Sequence, residues 1–120
     1  MTIRSAAKID DNTVKSLLSV CSAKLAELLS QPEAYVMTLF DRVVDMTMAG
    51  TDKPSCLVAI RSVVKLTCEQ TRAMTAAFCP LLEEYLGVPP NRVFLNFTDF
   101  SGAMWGCNNA TLEHFAPASA

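Results

Sequence analysis

The sequence predicts an α/β fold built from two duplicated βαβ units, with a four-stranded mixed sheet carrying both helices on one face. Two observations lead there. Shifted by about 57 positions, the 120-residue chain partly overlays itself without gaps. Ile3-Arg4-Ser5-x-x-Lys8 matches Ile60-Arg61-Ser62-x-x-Lys65, and Leu25, Glu27, Leu29, Pro32, Val36 and Phe40 match Leu82, Glu84, Leu86, Pro89, Val93 and Phe97. One period covers almost half the chain, which makes this a two-fold duplication and not a solenoid. Each half also reads as a β-branched run, then a helical period, then a second strand behind a proline. A strand–helix–strand unit of this length is a right-handed crossover joining parallel strands.

The elements follow in order. Ile3–Ile9 reads as the first strand. Val14, Leu17, Leu18, Cys21, Leu25, Leu28 and Leu29 fall at helical spacing, with Asp10 or Asp11 as the N-cap. After Pro32, Tyr35–Val44 reads as the second strand. The second half repeats the pattern: strand Cys56–Val64, N-cap Thr67, and a helix carrying Thr71, Met74, Phe78, Leu82, Tyr85 and Leu86. A last strand, Arg92–Thr98, follows Pro89 and Pro90. Pro80 conflicts locally with its helix, at a cost of up to about 3 kcal/mol against alanine unless the helix kinks. We take 1–120 as one domain, with halves at about 1–57 and 58–112 and a tail over 113–120.

Composition narrows the function. Apolar residues make up 51% and charged residues 18%, with a mean hydropathy of +0.27. A monomer of this size buries only roughly two-thirds of its unfolded surface, so the apolar surplus points to an oligomer. Net charge is -2 and no basic stripe exists, which argues against nucleic-acid and anionic-membrane partners. No apolar run approaches the roughly 18 residues of a membrane span. The N-terminus, with Arg4, Lys8 and Asp10, is not a signal peptide. The five cysteines, Cys21, Cys56, Cys68, Cys79 and Cys107, are odd in number and lack C-x-x-C spacing, which argues against a disulfide framework. These points place the chain in the cytoplasm. His114 is the single histidine, so zinc sites and Ser-His-Asp triads are disfavoured and no cofactor is expected.

Beyond the repeat, longer stretches carry a resemblance. Val88-Pro-Pro-Asn-Arg-Val-Phe-Leu-Asn-Phe-Thr-Asp99, followed by Trp105-Gly-Cys-Asn-Asn-Ala-Thr111, resembles the C-terminal signature of the macrophage migration inhibitory factor and D-dopachrome tautomerase family. Gln31-Pro-Glu-Ala-Tyr-Val-Met-Thr38 resembles its first helix-to-strand turn. Met46-Thr-Met-Ala-Gly50 and Pro54 sit where that family has its glycine-rich connection. The similarity runs from about Ile3 to Thr111. It implies a homotrimer and keto–enol tautomerisation of phenylpyruvate-like or dopachrome-like substrates. The implied general base is the secondary amine of an N-terminal proline, since an α-amino group titrates near 8 and is easily tuned towards neutrality.

The site residues implied by the resemblance depart from the family pattern. No proline stands at position 2, and Met1 aligns with the family proline. Removal of Met1, which Thr2 permits, would withdraw the amine by about 3.5 Å, too far for a proton transfer with about 3 Å reach. The substrate-carboxylate lysine corresponds to Gln31, which carries no charge. The pocket isoleucine corresponds to Val63, beside Ser62, and a hydroxyl-bearing tyrosine to Phe94. Tyr35 and Asn96 are kept. Val-Gly-Trp becomes Trp105-Gly-Cys107, and the terminal phenylalanine corresponds to Leu112 or to Phe115. Cys56 alone stands near the redox-type Cys-x-x-Cys of some members. Loss of a general base costs typically about 10²–10⁴-fold, so weak or absent tautomerase activity is expected.

Several residues admit two readings. The amine of Met1, or of Thr2, serves as the base or is an ordinary terminus. Asn96 orients substrate or ties backbone groups at a subunit interface. Trp105 lines a pocket or staples neighbouring subunits. Cys107 is a nucleophile beside the amine and Arg61, or a small buried replacement for tryptophan. Arg4 and Arg61 ring a trimer axis or make inter-strand salt bridges. The partners implied are two further copies of the chain and a small aromatic keto acid. A ligand-binding or cytokine-like interaction module is the competing class.

Overall fold

The computed structural model describes residues 1–114. The elements are β1 (Thr2–Ser5), α1 (Asp11–Leu29), β2 (Leu39–Arg42), β3 (Cys56–Ser62), α2 (Cys68–Leu86), β4 (Val93–Asp99) and a small hairpin of β5 (Gly106–Cys107) and β6 (Ala110–Thr111). The main sheet has the order β2-β1-β3-β4. β1 runs parallel to β2, β3 runs parallel to β4, and β1 meets β3 antiparallel. Each parallel pair is closed by its own helix, as the crossover rule requires.

The repeat survives in the structure at one fixed offset of 57 positions: α1 (Asp11–Leu29) maps onto α2 (Cys68–Leu86), and the 3₁₀ turn Glu33–Tyr35 maps onto Pro90–Arg92. The caps follow the same offset. Asp10 accepts from the Thr13 N–H, and Thr67 closes a capping box with Gln70. Ser30 and Gly87 end their helices in the left-handed region, at φ 52° and 69°. Glycine suits that conformation, whereas serine pays steric strain for it.

The strands differ from the sequence-based expectation at their ends. β1 stops at Ser5 and β3 at Ser62, short of Ile9 and Val64. Both serines are buried and turn the chain. Ser5 Oγ donates to the Ser55 carbonyl at 2.7 Å and accepts from the Ala7 N–H at 3.2 Å. Ser62 Oγ donates to the Val64 carbonyl at 2.8 Å and accepts from the Val64 N–H at 3.0 Å. β2 covers only Leu39–Arg42 of the expected Tyr35–Val44. β1 pairs with β2 from Thr2 opposite Leu39, so residues 35–37 have no β1 residue to pair with. α2 runs unbroken through Pro80. Pro80 and Ala76, the residue whose carbonyl a proline at this position cannot serve, are both exposed.

The core lies between one sheet face and the two helices. Ile3, Val58 and Ile60 from the sheet meet Leu17, Cys21 and Leu25 of α1 and Met74, Phe78 and Leu82 of α2. The opposite face carries Arg4, Arg61, Asn96, Thr98 and Phe94, all exposed, beside half-buried Leu57 and Ala59. Of the two arginines read as inter-strand salt-bridge candidates, Arg4 makes one, to Asp41 at 3.1 Å, and Arg61 makes none among the described residues. The loop from β2 to β3 is gathered by Arg92, whose guanidinium donates to the carbonyls of Met48, Thr51, Lys53 and Pro54 at 2.9–3.3 Å.

Candidate functional site

The register of β1 creates the site. Thr2 lies opposite Leu39 on one side and Ala59 on the other. One step back, Met1 falls level with Thr38 and Ile60; the next step back would be level with Met37 and Arg61. Carried on from that register, β3 and the lead-in to β2 would flank a slot of about two strand spacings, ~9.5 Å, beyond Met1. The Met1 amine stands at its inner end and donates to the Met37 carbonyl at 2.8 Å. Thr38 fixes this wall by donating from Oγ1 to the Leu18 carbonyl of α1 at 3.2 Å.

The amine is electrostatically poised. Burial, followed by the nearby Arg61 guanidinium, lowers its pKa below the ordinary value. Both disfavour the ammonium form. Cys21 acts in the opposite sense, but burial pushes its own thiol up to about 12. Cys21 is therefore a neutral floor near the amine at physiological pH. Arg61 is exposed and makes no ion pair among the described residues.

The other site residues from the sequence divide into two groups. Tyr35 stands 64% exposed on the turn that leads to β2. Gln31 follows the α1 cap, and both polar atoms of its amide are buried with no hydrogen-bond partner among the described residues. Such a group costs about 1–3 kcal/mol until a partner arrives. Ser62 is at the end of β3, its hydroxyl engaged by Val64, and Val63 is half-buried next to it. These residues come from elements that border the slot.

Phe94, Asn96, Trp105 and Cys107 form the second group, which the single chain does not bring to the amine. Phe94 pairs with Leu57 and Asn96 with Ala59, so β3 separates both from β1. Phe94 is 63% exposed on the open sheet face. Trp105 packs edge-on against Phe100, with ring centroids 5.6 Å apart. Cys107 is exposed on β5 and not the buried replacement that one reading expected. The hairpin turn at Asn108 and Asn109 has φ of 51° and 67°, the paired positive values of a tight β-hairpin. Leu112 anchors the hairpin by donating to the Gly102 and Trp105 carbonyls at 3.0 and 2.9 Å. Phe115 lies outside the described residues.

Cys21, by spacing one more core position of α1, sits near the amine without any sequence signal for it, and Arg92 and Gly102, which organise the loops, stand out in no motif. A Cβ on Gly102 would collide with the Leu112 carbonyl. Among the described residues, no helix is long and apolar enough to cross a membrane, and no three of His, Cys, Asp or Glu converge to hold a metal ion.

Comparison with known proteins fits this geometry. A family model described as macrophage migration inhibitory factor matches residues 3–113. A macrophage migration inhibitory factor homolog from Trichuris trichiura is 31% identical over 101 residues, 84% of this chain and 89% of that protein. Macrophage migration inhibitory factor from Mus musculus is 30% identical over 97 residues, 81% of this chain and 84% of its own. The crystal structure of a homologue from Prochlorococcus marinus is 35% identical, with a TM-score of 0.87 over 92% of this chain and 96% of that one.

Proposed function

The chain belongs to the macrophage migration inhibitory factor family, and from that premise we propose a homotrimer with a degraded tautomerase site, in which the Met1 amine is a weak general base for keto–enol tautomerisation of a small aromatic keto acid. The observation that carries this reading is the amine itself, held by the Met37 carbonyl in the slot beyond β1 with its pKa lowered by burial and Arg61. A lowered pKa leaves more of the amine as a free base at pH 7, the state that abstracts a proton beside a carbonyl.

The same site argues for slow turnover. Gln31 offers an amide where the resemblance implies a charged carboxylate clamp, and Phe94 has no hydroxyl. A primary amine is also less restricted than a ring nitrogen. The trimer is supported by the half-apolar open sheet face, with exposed Phe94 beside Leu57 and Ala59, and by the two unpaired sheet edges, β2 and β4. Stacking copies on that face is also a route for Phe94, Asn96, Trp105 and Cys107 to reach the amine of a neighbouring copy.

The test is phenylpyruvate enol-to-keto turnover by protein whose first residue is fixed by intact mass. Slow turnover above the buffer rate, abolished by acetylating the terminal amine, is the expected result. Background turnover in a sound trimer would reject the base assignment. The second reading is ligand binding without turnover. The unpartnered Gln31 amide favours it, because a neutral donor–acceptor pair suits a neutral group better than a carboxylate. Saturable binding of a neutral aryl ketone, with no turnover, would select that reading.

A further inference from the structure

The two halves of the chain part company at one corner, where the backbone leaves the first strand of each half and turns towards its helix. In the second half the Phe100 N–H donates to the Ser62 carbonyl at 2.8 Å, and the Asp99 carboxylate accepts from the Leu66 N–H at 2.9 Å. The offset of 57 positions puts Ser5, Ile9, Arg42 and Val43 at the same points of the first half. The Val43 N–H duly donates to the Ser5 carbonyl at 3.0 Å. Position 42, however, carries a cation where its counterpart carries a carboxylate. Arg42 donates to the Ile9 carbonyl at 2.8 Å, and the N–H of half-buried Ile9 has no hydrogen-bond partner among the described residues. A backbone donor in that state costs free energy until an acceptor reaches it.

The same corner is hollow. Ala6 and Ala7 stand where the second half has Val63 and buried Val64, and each valine is two methyl groups larger. An open cleft of about 390 Å³ lies there, bordered by Ala6, Ala7, Lys8, Ile9, Arg42 and Val44, a volume in the range of small-molecule sites. Lys8 makes no ion pair among the described residues. Arg42 is fixed by the Asp11 carboxylate at 2.8 Å and by the Phe40 ring, 5.6 Å from its centroid, and its fork has N–H donors left over. The first turn of α1 is served by the chain itself, because Asp10 accepts from the Thr13 N–H.

We propose that this corner binds a small aliphatic monocarboxylate. Its carboxylate takes the Ile9 N–H, Lys8 and Arg42, the role that Asp99 fills for the second half, and its hydrocarbon tail lies in the cleft over Ala6, Ala7 and the 90% exposed Val44. The second half supplies the template for the head group: a carboxylate on the equivalent N–H. The two cations strengthen such a contact, and the missing methyl groups make room for the tail. The corner lies at the carboxyl ends of the parallel strands β1 and β2, where open α/β sheets hold ligands. The Met1 amine is at the opposite end of β1, so this site stands or falls separately from the tautomerase reading.

The probe is isovalerate, titrated at pH 7 into the full chain under native conditions and followed by amide proton–nitrogen NMR. One saturable set of shifts is expected, largest at Ile9, with half-saturation at about 1 mM, the scale for so small a ligand. 3-Methylbutanol, which keeps the tail and loses the charge, is expected to bind at least about tenfold more weakly, and Lys8→Gln to weaken isovalerate by a similar factor. Ala7→Val copies the second half and is expected to weaken isovalerate more than acetate. Arg42→Asp gives the Ile9 N–H a carboxylate of its own and is expected to abolish binding while the amide pattern of the two helices is kept. Shifts that never saturate, or that fall only around Met37 and Arg61, would overturn the proposal. So would isovalerate binding no tighter than acetate, or unchanged affinity in Lys8→Gln and Arg42→Asp.

Discussion

Replacing Arg92 with methionine keeps the apolar stem and removes the head group that organises the β2–β3 loop. In the native chain one guanidinium serves four backbone carbonyls, those of Met48, Thr51, Lys53 and Pro54. A hydrogen bond from a charged donor contributes about 1.5–3 kcal/mol when its acceptor is shielded from water. Three of these four carbonyls belong to exposed residues and will bond to water in the variant, and the fourth, that of Met48, keeps the Thr51 N–H as a partner, so each of the four loses nearer about 0.5–1 kcal/mol. The sum is about 2–4 kcal/mol. For a chain of this length the unfolding entropy is about 0.25 kcal/mol per degree, which converts to a fall in Tm of about 8–16 °C. The assay is thermal denaturation by circular dichroism at one fixed protein concentration, because subunit association would make Tm depend on it. Limited proteolysis should show new cleavage between Met48 and Pro54. Arg92→Lys should recover only part of the loss, since an ammonium cannot span the four acceptors. A Tm within 2 °C or so of the parent, with the loop still protected, would refute the view that this residue holds the loop.

Other outcomes follow from single positions. Ser30→Gly should stabilise the chain by about 0.5–1 kcal/mol in urea denaturation, because it relieves a left-handed serine at the site where the second half has Gly87. Pro80→Ala should add about 1–3 kcal/mol by restoring a helical N–H and removing the proline ring from the middle of α2. Gly102→Ala should release the C-terminal hairpin, read as a red shift of Trp105 fluorescence, because its Cβ meets the Leu112 carbonyl. The amine also predicts a pH dependence. Its folded pKa lies below the ordinary value near 8, so between the two the unfolded chain binds more protons. Stability should therefore rise with pH across that window, be complete above about 8 and be lost below the folded pKa. Arg61→Gln should flatten that rise in denaturation profiles; Cys21, neutral as a thiol up to about 12, should not contribute to it.

Much of the fold was legible because it is written twice. Helix caps and proline turns recur at one offset, so Asp10 and Thr67, or Pro32 and Pro89, support each other as signals. Strand ends were harder to read. No proline or glycine in residues 6–9 marks an end, and β1 stops where the buried Ser5 hydroxyl bonds across to the Ser55 carbonyl. The residues Tyr35–Thr38 read as strand by composition, but pairing is a property of the neighbour, and β1 offers none before Met1. The site was legible as a roster and not as an arrangement. The resemblance to the family picked out Gln31, Tyr35 and Asn96. The meeting of Met1 with Arg61 depends on an antiparallel register between residues 60 positions apart, which no local periodicity encodes. Arg92 likewise looked like an ordinary strand-end cation until its four carbonyl partners came from a loop some forty residues away.

The slot beyond β1 also makes the chemistry of the chain answerable to the machinery that finishes polypeptide ends. A formyl group, an acetyl group or one further residue on Met1 would enter the space between Met37 and Arg61 and remove the free base in the same act. Trimming Met1 would do the opposite, deepening the slot and drawing the amine back from Arg61. A deformylase, an acetyltransferase or a methionine aminopeptidase working on this terminus would therefore switch that chemistry, without altering a single codon. An affinity tag fused ahead of Met1 would do the same in the laboratory, and a silent preparation made that way would say nothing about the native molecule.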